Sequence, residues 1–187
     1  IAIDKAVAHE RMATQNVFLK EELGKQERFL YETRNEQLKS IYTTIENLSE
    51  INSTVLLKGE SGTGKEIMAR YIHATSNRSG SSFVPINCGA VPDGLVESEL
   101  FGYEKGAFTD AKQRSRGKLQ VADGGTLFLD EVDELSMRAQ VALLRFLQDR
   151  EIIPLGSHRK IPVDVKIVAA TNRDLESLVR DGKFRED

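Results

Sequence analysis

TVLLKGESGTGKEIMARYIHAT, residues 54–75, decides the fold. Its short apolar run from Thr54 to Leu57 reads as a buried strand, and Glu66 to Thr75 reads as a helix. Between them lies Gly59-Glu60-Ser61-Gly62-Thr63-Gly64-Lys65-Glu66. Glycines let a backbone wrap tightly enough for successive N–H groups and the following helix N-terminus to face phosphate oxygens. Lys65 adds a positive charge for the outer phosphates. A plain glycine turn is the competing reading, and the flanking strand and helix weigh against it. Glu66 stands where a Ser or Thr normally helps hold magnesium, so metal coordination must lean on residues elsewhere.

Working outward, the apolar runs Phe83 to Ile86, Thr126 to Leu129 and Val165 to Ala170 repeat the strand signal. The segment Ser136 to Arg150 reads as a helix with a Ser cap and with Val141, Leu144 and Leu147 along one face. Strands alternating with helices imply an α/β fold, a parallel sheet flanked by helices. Ligands of such sheets bind beyond the carboxyl ends of the strands, so the residue ending each strand matters. Asp130 and Glu131 follow one strand: Asp130 is placed to hold the Mg2+ of MgATP and Glu131 to polarise an attacking water. Two carboxylates that only cap a strand are the alternative, a poor one downstream of a phosphate loop. Thr171 and Asn172 reach the same edge, where they can position water or sense the γ-phosphate, although Thr-Asn also starts turns. Asn87 arrives there too, either to hydrogen-bond Glu131 and switch its orientation or simply to form a turn.

From Ile1 to about Ser49, Glu, Lys, Arg and Gln predominate, with Ile3, Val7, Val17, Leu23, Leu38, Ile41, Ile45 and Leu48 at helix-like intervals. Residues 1–24 read as a helical linker, either a coiled coil with a second copy or a solvated helix, and residues 25–187 as the α/β domain. Across the 187 residues, 40% are hydrophobic and 29% charged, which excludes wholesale disorder. A net charge of -3 gives no electrostatic signature of nucleic-acid binding. The charged cluster Arg114, Arg116 and Lys118 reads as a solvated face. The single Cys88 excludes an internal disulfide and fits a reducing compartment. No run approaches a membrane span, and the expected location is cytoplasmic. The start at Ile1 and the charged end at Asp187 look like those of a fragment.

GESGTGKE, FVPINC, ESELFGYEKGAFTDA, DGGTLFLDEVDELS, QVALLRFLQDREI with PLGS, VAATNRDL and GKFRED occur in that order between about Asn52 and Asp187. In order and spacing they resemble the central domain of sigma-54-dependent enhancer-binding activators, P-loop NTPases of the AAA+ class. The preceding helical region is similar in kind to the linker that joins a regulatory domain, often a response-regulator receiver of a two-component system, to the ATPase.

The resemblance implies ATP hydrolysis in a ring, usually a hexamer, that remodels sigma-54 RNA polymerase. Glu after the loop lysine is usual there, which removes the objection to Glu66. Arg185 matches an arginine that acts on a neighbouring subunit's nucleotide, with a second arginine, the helical lid and a DNA-binding helix-turn-helix expected beyond Asp187. Gly106-Ala107-Phe108-Thr109-Asp110-Ala111 matches the loop that grips sigma-54, Phe108 being its exposed apolar contact and Thr109 its polar partner. A connection with Phe108 packed inward is the alternative. Asp149 to Ser157 corresponds to the companion loop that moves on loss of the γ-phosphate. Asp110 replaces the family's usual Gly, adding a charge and restricting the backbone. It supports a rival reading, a nucleotide-responsive regulator that does not engage sigma-54. A protease-associated unfoldase would need an aromatic-Val-Gly pore loop, and the sequence has none.

Overall fold

The computed structural model describes residues 35–47, 51–92 and 94–187. Contacts divide the chain into two units, Ile1–Thr43 and Thr44–Asp187. Helix α1, Glu36–Asn47, begins in the first and ends in the second. Asn35 caps it by accepting from the Gln37 N–H at 2.9 Å. The expected linker over residues 1–24, with its coiled-coil stripe and its boundary at 24–25, lies outside the described residues, as does Leu48.

The second unit continues through β1 (Val55–Lys58), α2 (Lys65–Thr75), β2 (Phe83–Asn87), α3 (Val96–Phe101), β3 (Gly102–Tyr103), β4 (Ser115–Arg116) and α4 (Lys118–Val121). It then forms β5 (Thr126–Asp130), a 3-10 turn (Val132–Glu134), α5 (Met137–Asp149), β6 (Glu151–Ile152), β7 (Ile161–Pro162), β8 (Lys166–Thr171) and α6 (Leu175–Arg180). β1, β8, β5 and β2 pair in that order, every pair parallel. Period-2 alternation sends side chains to both faces of such a sheet. Leu127, Leu129, Ile167 and Ala169 pack into one apolar cluster with Leu100, Leu119, Leu143 and Phe146. Phe128, Val168 and Ala170 pack into another with Ala69 and Ile72 of α2, and with Ile45 and Leu57. Both faces of the central strands are therefore apolar, which is why these runs read as continuous rather than alternating.

All four predicted strands exist, and each ends one residue later than its apolar run, at Lys58, Asn87, Asp130 and Thr171. The reason is that the polar terminal residue still pairs in the ladder: Lys58 stands opposite Thr171 and Asn87 opposite Asp130. The long helix is present with its cap, Ser136 Oγ accepting from Ala139 N–H at 3.3 Å. Its buried face differs from the expected one. Ala139, Gln140, Leu143 and Phe146 are buried, whereas Val141, Leu144 and Leu147 are half-buried. Gln140 explains part of the error: its amide donates to the Leu135 and Lys183 carbonyls, so a polar residue occupies the inward stripe.

The β3–β4 hairpin projects from the end of α3. Gly102 and Gly117 allow its base to close, because a Cβ on Gly102 would lie 2.5 Å from Gly117 N and one on Gly117 2.4 Å from Gly102 N. Among the described residues no helix is long and apolar enough to cross a membrane.

At the opposite end of the sheet from the loop after β1, His73 is buried and its Nδ1 lies 2.9 Å from Thr126 Oγ1. Burial, reinforced by the charges of Arg70 and Lys166, lowers its pKa from the ordinary 6.5, although a backbone contact at Ser81 opposes this. The unfolded chain therefore takes up a proton at His73 at a pH where the native one does not. The His73 contribution is intact above about pH 6.5 and is lost progressively as pH falls below it. Urea denaturation between pH 7.5 and 5.5 should show a falling midpoint, with a shallower fall in His73→Gln.

Candidate active site

Three parallel strands deliver the loop after β1, the residues after β5 and the end of β8 to one edge of the sheet. Gly59 N–H donates to the Thr171 carbonyl at 3.2 Å, tying the start of the loop to β8. Gly62 and Gly64 have φ of 78 and 84°, the left-handed region that side chains resist, and they turn the chain into α2. Lys65 is the first residue of that helix, and its Nζ arches back to donate to the Gly59 and Glu60 carbonyls at 2.9 and 2.8 Å. Thr63 Oγ1 also donates to the Glu60 carbonyl, at 2.8 Å. Ser61 and Thr63 are exposed in the same loop. The ammonium group thus already lies over the loop interior, held among the described residues by two carbonyls that an anion can outcompete. Glu66 points elsewhere: it pairs with Arg70 along α2 at 2.8 Å.

Asp130 is half-buried at the end of β5. One carboxylate oxygen accepts from Glu131 N–H at 3.0 Å, and the other has no protein partner among the described residues. That leaves lone pairs for a cation. No group of three or more His, Cys, Asp or Glu that could hold a metal ion exists among the described residues. Asp130 and the Lys65 loop are the groups that would hold MgATP.

Glu131 sits at φ 52 and ψ 50, a left-handed conformation for a non-glycine residue. Such a conformation costs about 1–3 kcal/mol and persists where the surroundings impose it. Its carboxylate lies against Gly89, so closely that a Cβ there would stand 2.2 Å from Oε2. The same Cβ would lie 3.5 Å from Asn87 Oδ1, so Asn87 and Glu131 flank one glycine. The expected hydrogen bond between them is not made. Asn87 Oδ1 accepts instead from Ala90 N–H at 2.8 Å, the turn-forming alternative.

Thr171 also differs from its expected role. Its side chain is fully buried, and its hydroxyl donates to Asp133 Oδ1 at 2.5 Å and accepts from Arg173 N–H at 3.0 Å. That hydroxyl is spent on protein partners, while the neighbouring Asn172 is exposed, with no hydrogen bond of its side chain among the described residues. Asp133 and Gly89 are the residues sequence reasoning missed. Asp133 is one of several carboxylates in a DEVDE run, and nothing in the spacing marks it as the inward one. Gly89 lies in no recognised motif.

Arg185 is not part of this cluster. Its backbone N–H donates to Gln140 Oε1 at 3.0 Å and its guanidinium grips Asp187 at 2.6 and 2.7 Å. The hairpin loop carries Gly106, Ala107, Phe108, Thr109 and Asp110 at or near the surface, with Phe108 37% exposed and its ring 4.9 Å from that of Tyr103. Ala111 turns inward and is buried. Its carbonyl accepts from Gly106 N–H at 2.9 Å, closing the loop base. The companion segment after α5 is part of a second hairpin, β6 pairing antiparallel with β7, and it is stitched to the first through Glu104 N–H to the Leu155 carbonyl and Leu155 N–H to the Gly102 carbonyl, both at 2.9 Å.

Cys88 is 1% exposed between these groups, and its N–H donates to the Asp130 carbonyl. Burial first, then the carboxylates of Asp130, Asp133 and Glu131, push its thiol up to about 12. The thiolate is the reactive form. Ellman's reagent at pH 8 should therefore leave the native protein unlabelled and titrate Cys88 only after denaturant is added; rapid labelling of the native state would refute this burial.

A family profile described as "Sigma-54 interaction domain" matches residues 31–187. The Nif-specific regulatory protein of Azotobacter vinelandii is 53% identical over 80% of this chain and 29% of its own. The Sigma54-dependent transcriptional regulator SfnR of Pseudomonas fluorescens is 52% identical over 76% of this chain and 39% of its own. Among solved structures, NtrX from Brucella abortus in complex with ATP superimposes with a TM-score of 0.79, at 32% identity over 94% of this chain and 38% of that one. The chain spans between 23% and 39% of the length of the curated relatives it matches.

Proposed function

This chain belongs to the Sigma-54 interaction domain family, and from that premise we propose that it is the ATP-hydrolysing core of a longer transcription activator that remodels sigma-54 RNA polymerase. One observation carries the reading: a glycine loop with Lys65 arched over it, the free oxygen of Asp130 and the strained Glu131 converge at one sheet edge. A magnesium ion, if bound there by Asp130, would supply charge neutralisation on the phosphates. Amides from Gly59 to Gly64 and the Lys65 ammonium cradle the phosphates. Asp130 faces the cation, and Glu131 orients and polarises the attacking water. Asn87 and Asn172 are the polar side chains left to respond to the γ-phosphate, with Thr171 acting through its protein contacts.

Arg185 is the residue for a neighbouring subunit's phosphates; among the described residues its guanidinium pairs with Asp187, and its backbone N–H donates to Gln140. Its role requires a ring, and the activity should depend on assembly. Phe108 and Thr109, at the tip of a hairpin closed by Ala111, are the contacts with sigma-54. Asp110 lies in the same exposed turn. The rival in which the chain has lost sigma-54 engagement rests on Asp110 alone, and no other observation favours it.

Two measurements on the full-length protein test this. ATP turnover should rise faster than linearly with protein concentration and fall about a hundredfold or more in Glu131→Gln. Phe108→Ala should abolish promoter opening by sigma-54 polymerase while keeping that turnover. Linear turnover indifferent to Glu131 would remove the ATPase reading. Promoter opening by Phe108→Ala at the wild-type rate would remove the assigned contact.

A further inference from the structure

Thr171 joins two parts of the edge that the sequence treats as separate. Its carbonyl accepts from Gly59 N–H at the root of the phosphate loop, and its hydroxyl donates to Asp133 in the turn that follows Glu131. The Asp133 side chain is only 2% exposed, and the nearest cation is Arg173 Nε at 3.9 Å, itself paired with Glu134 at 3.2 Å. Two adjacent carboxylates of the turn are thus fastened to the segment that ends β8. The turn closes on itself through Glu134 N–H to the Glu131 carbonyl at 3.0 Å. Glu131, at its head, holds a backbone conformation that an unrestrained residue leaves readily.

We infer that Asp133 is a positioning residue for Glu131: the Thr171–Asp133 hydrogen bond locks the turn, and with it the left-handed Glu131, to the strand end that anchors the phosphate loop. The inference rests on the ATPase reading above. It assigns to Thr171 a latch in place of direct phosphate sensing. Because the latch acts on the water-activating residue and not on the phosphates, its loss should lower kcat and leave ATP binding in place. A misplaced general base costs on the order of ten- to a hundredfold in rate.

The test is steady-state MgATP hydrolysis by the full-length protein carrying Asp133→Ala, Thr171→Val, both together, or Thr171→Ser, with Glu131→Gln as control and thermal melting for each. The expected result is a kcat about tenfold or more below wild type in both single variants, with KM within about twofold. The double variant should lose no more than either single one, since both break the same bond. Thr171→Ser, which keeps the hydroxyl, should restore the rate. With Glu131→Gln inactive, an unchanged kcat in Asp133→Ala, additive losses, or a raised KM in Thr171→Val with Asp133→Ala normal would overturn the latch alone. A fully active Glu131→Gln would overturn the ATPase reading, and the latch with it. Thr171→Ser together with the melting curves is the check on folding, because Thr171→Val leaves the buried Asp133 carboxylate without its hydroxyl donor whereas serine keeps it.

Discussion

Parallel pairing of β8 between β1 and β5 is the constraint on which the rest depends. It sets Lys58 beside Thr171 and Leu129 beside Ala169, so the chain segments leaving three strands emerge together. Parallel strands need long crossovers and apolar cover on both faces. Phe128 and Val168 on one face, and Leu127, Leu129 and Ile167 on the other, meet that demand with side chains that are almost fully buried. Moving β8 by one residue would carry its whole apolar set to the opposite face. The same slip would draw Thr171 away from Gly59 and Asp133, so core packing and site geometry share one register.

Strain at this edge has a clear location. Gly62 and Gly64 take left-handed angles at little steric cost, whereas Glu131 takes one against its preference. The compensation is local and polar: a hydrogen bond from its N–H to Asp130, a closed 3-10 turn, and the buried contact of Asp133 with Thr171. Gly89 offers the room in which the Glu131 carboxylate lies. In the proposed role of Glu131 as general base, such a hold would preorganise it before substrate arrives. The two hairpins are stitched together through Leu155, and the first carries the exposed Phe108 on a hydrogen-bonded base.

Much of this was legible in the sequence. Apolar runs gave every strand of the four-stranded sheet, because buried parallel strands cannot be polar, and the glycine loop and the Asp130-Glu131 pair lie at one edge of it. What stayed hidden depends on side-chain direction. Helix α5 could not be oriented from apolar spacing because Gln140, hydrogen-bonded inside, takes a place that an apolar residue was expected to fill. Asn87 and Thr171 end their strands, but their partners, Ala90 and Asp133, are set by turns whose geometry spacing does not encode. Ala111 closes its own loop for the same reason. The short strands of the two hairpins carry no periodic signal at all, being two residues long.

In the proposed reading, everything at this edge turns on Lys65 and the loop beneath it as a nucleotide site. Equilibrium binding of MgATP to the full-length protein, compared with Lys65→Ala of equal thermal stability, tests it most directly. Affinity should fall by about tenfold or more, as expected when a charge-assisted contact to phosphate is removed. Unchanged affinity in a well-folded Lys65→Ala would contradict it.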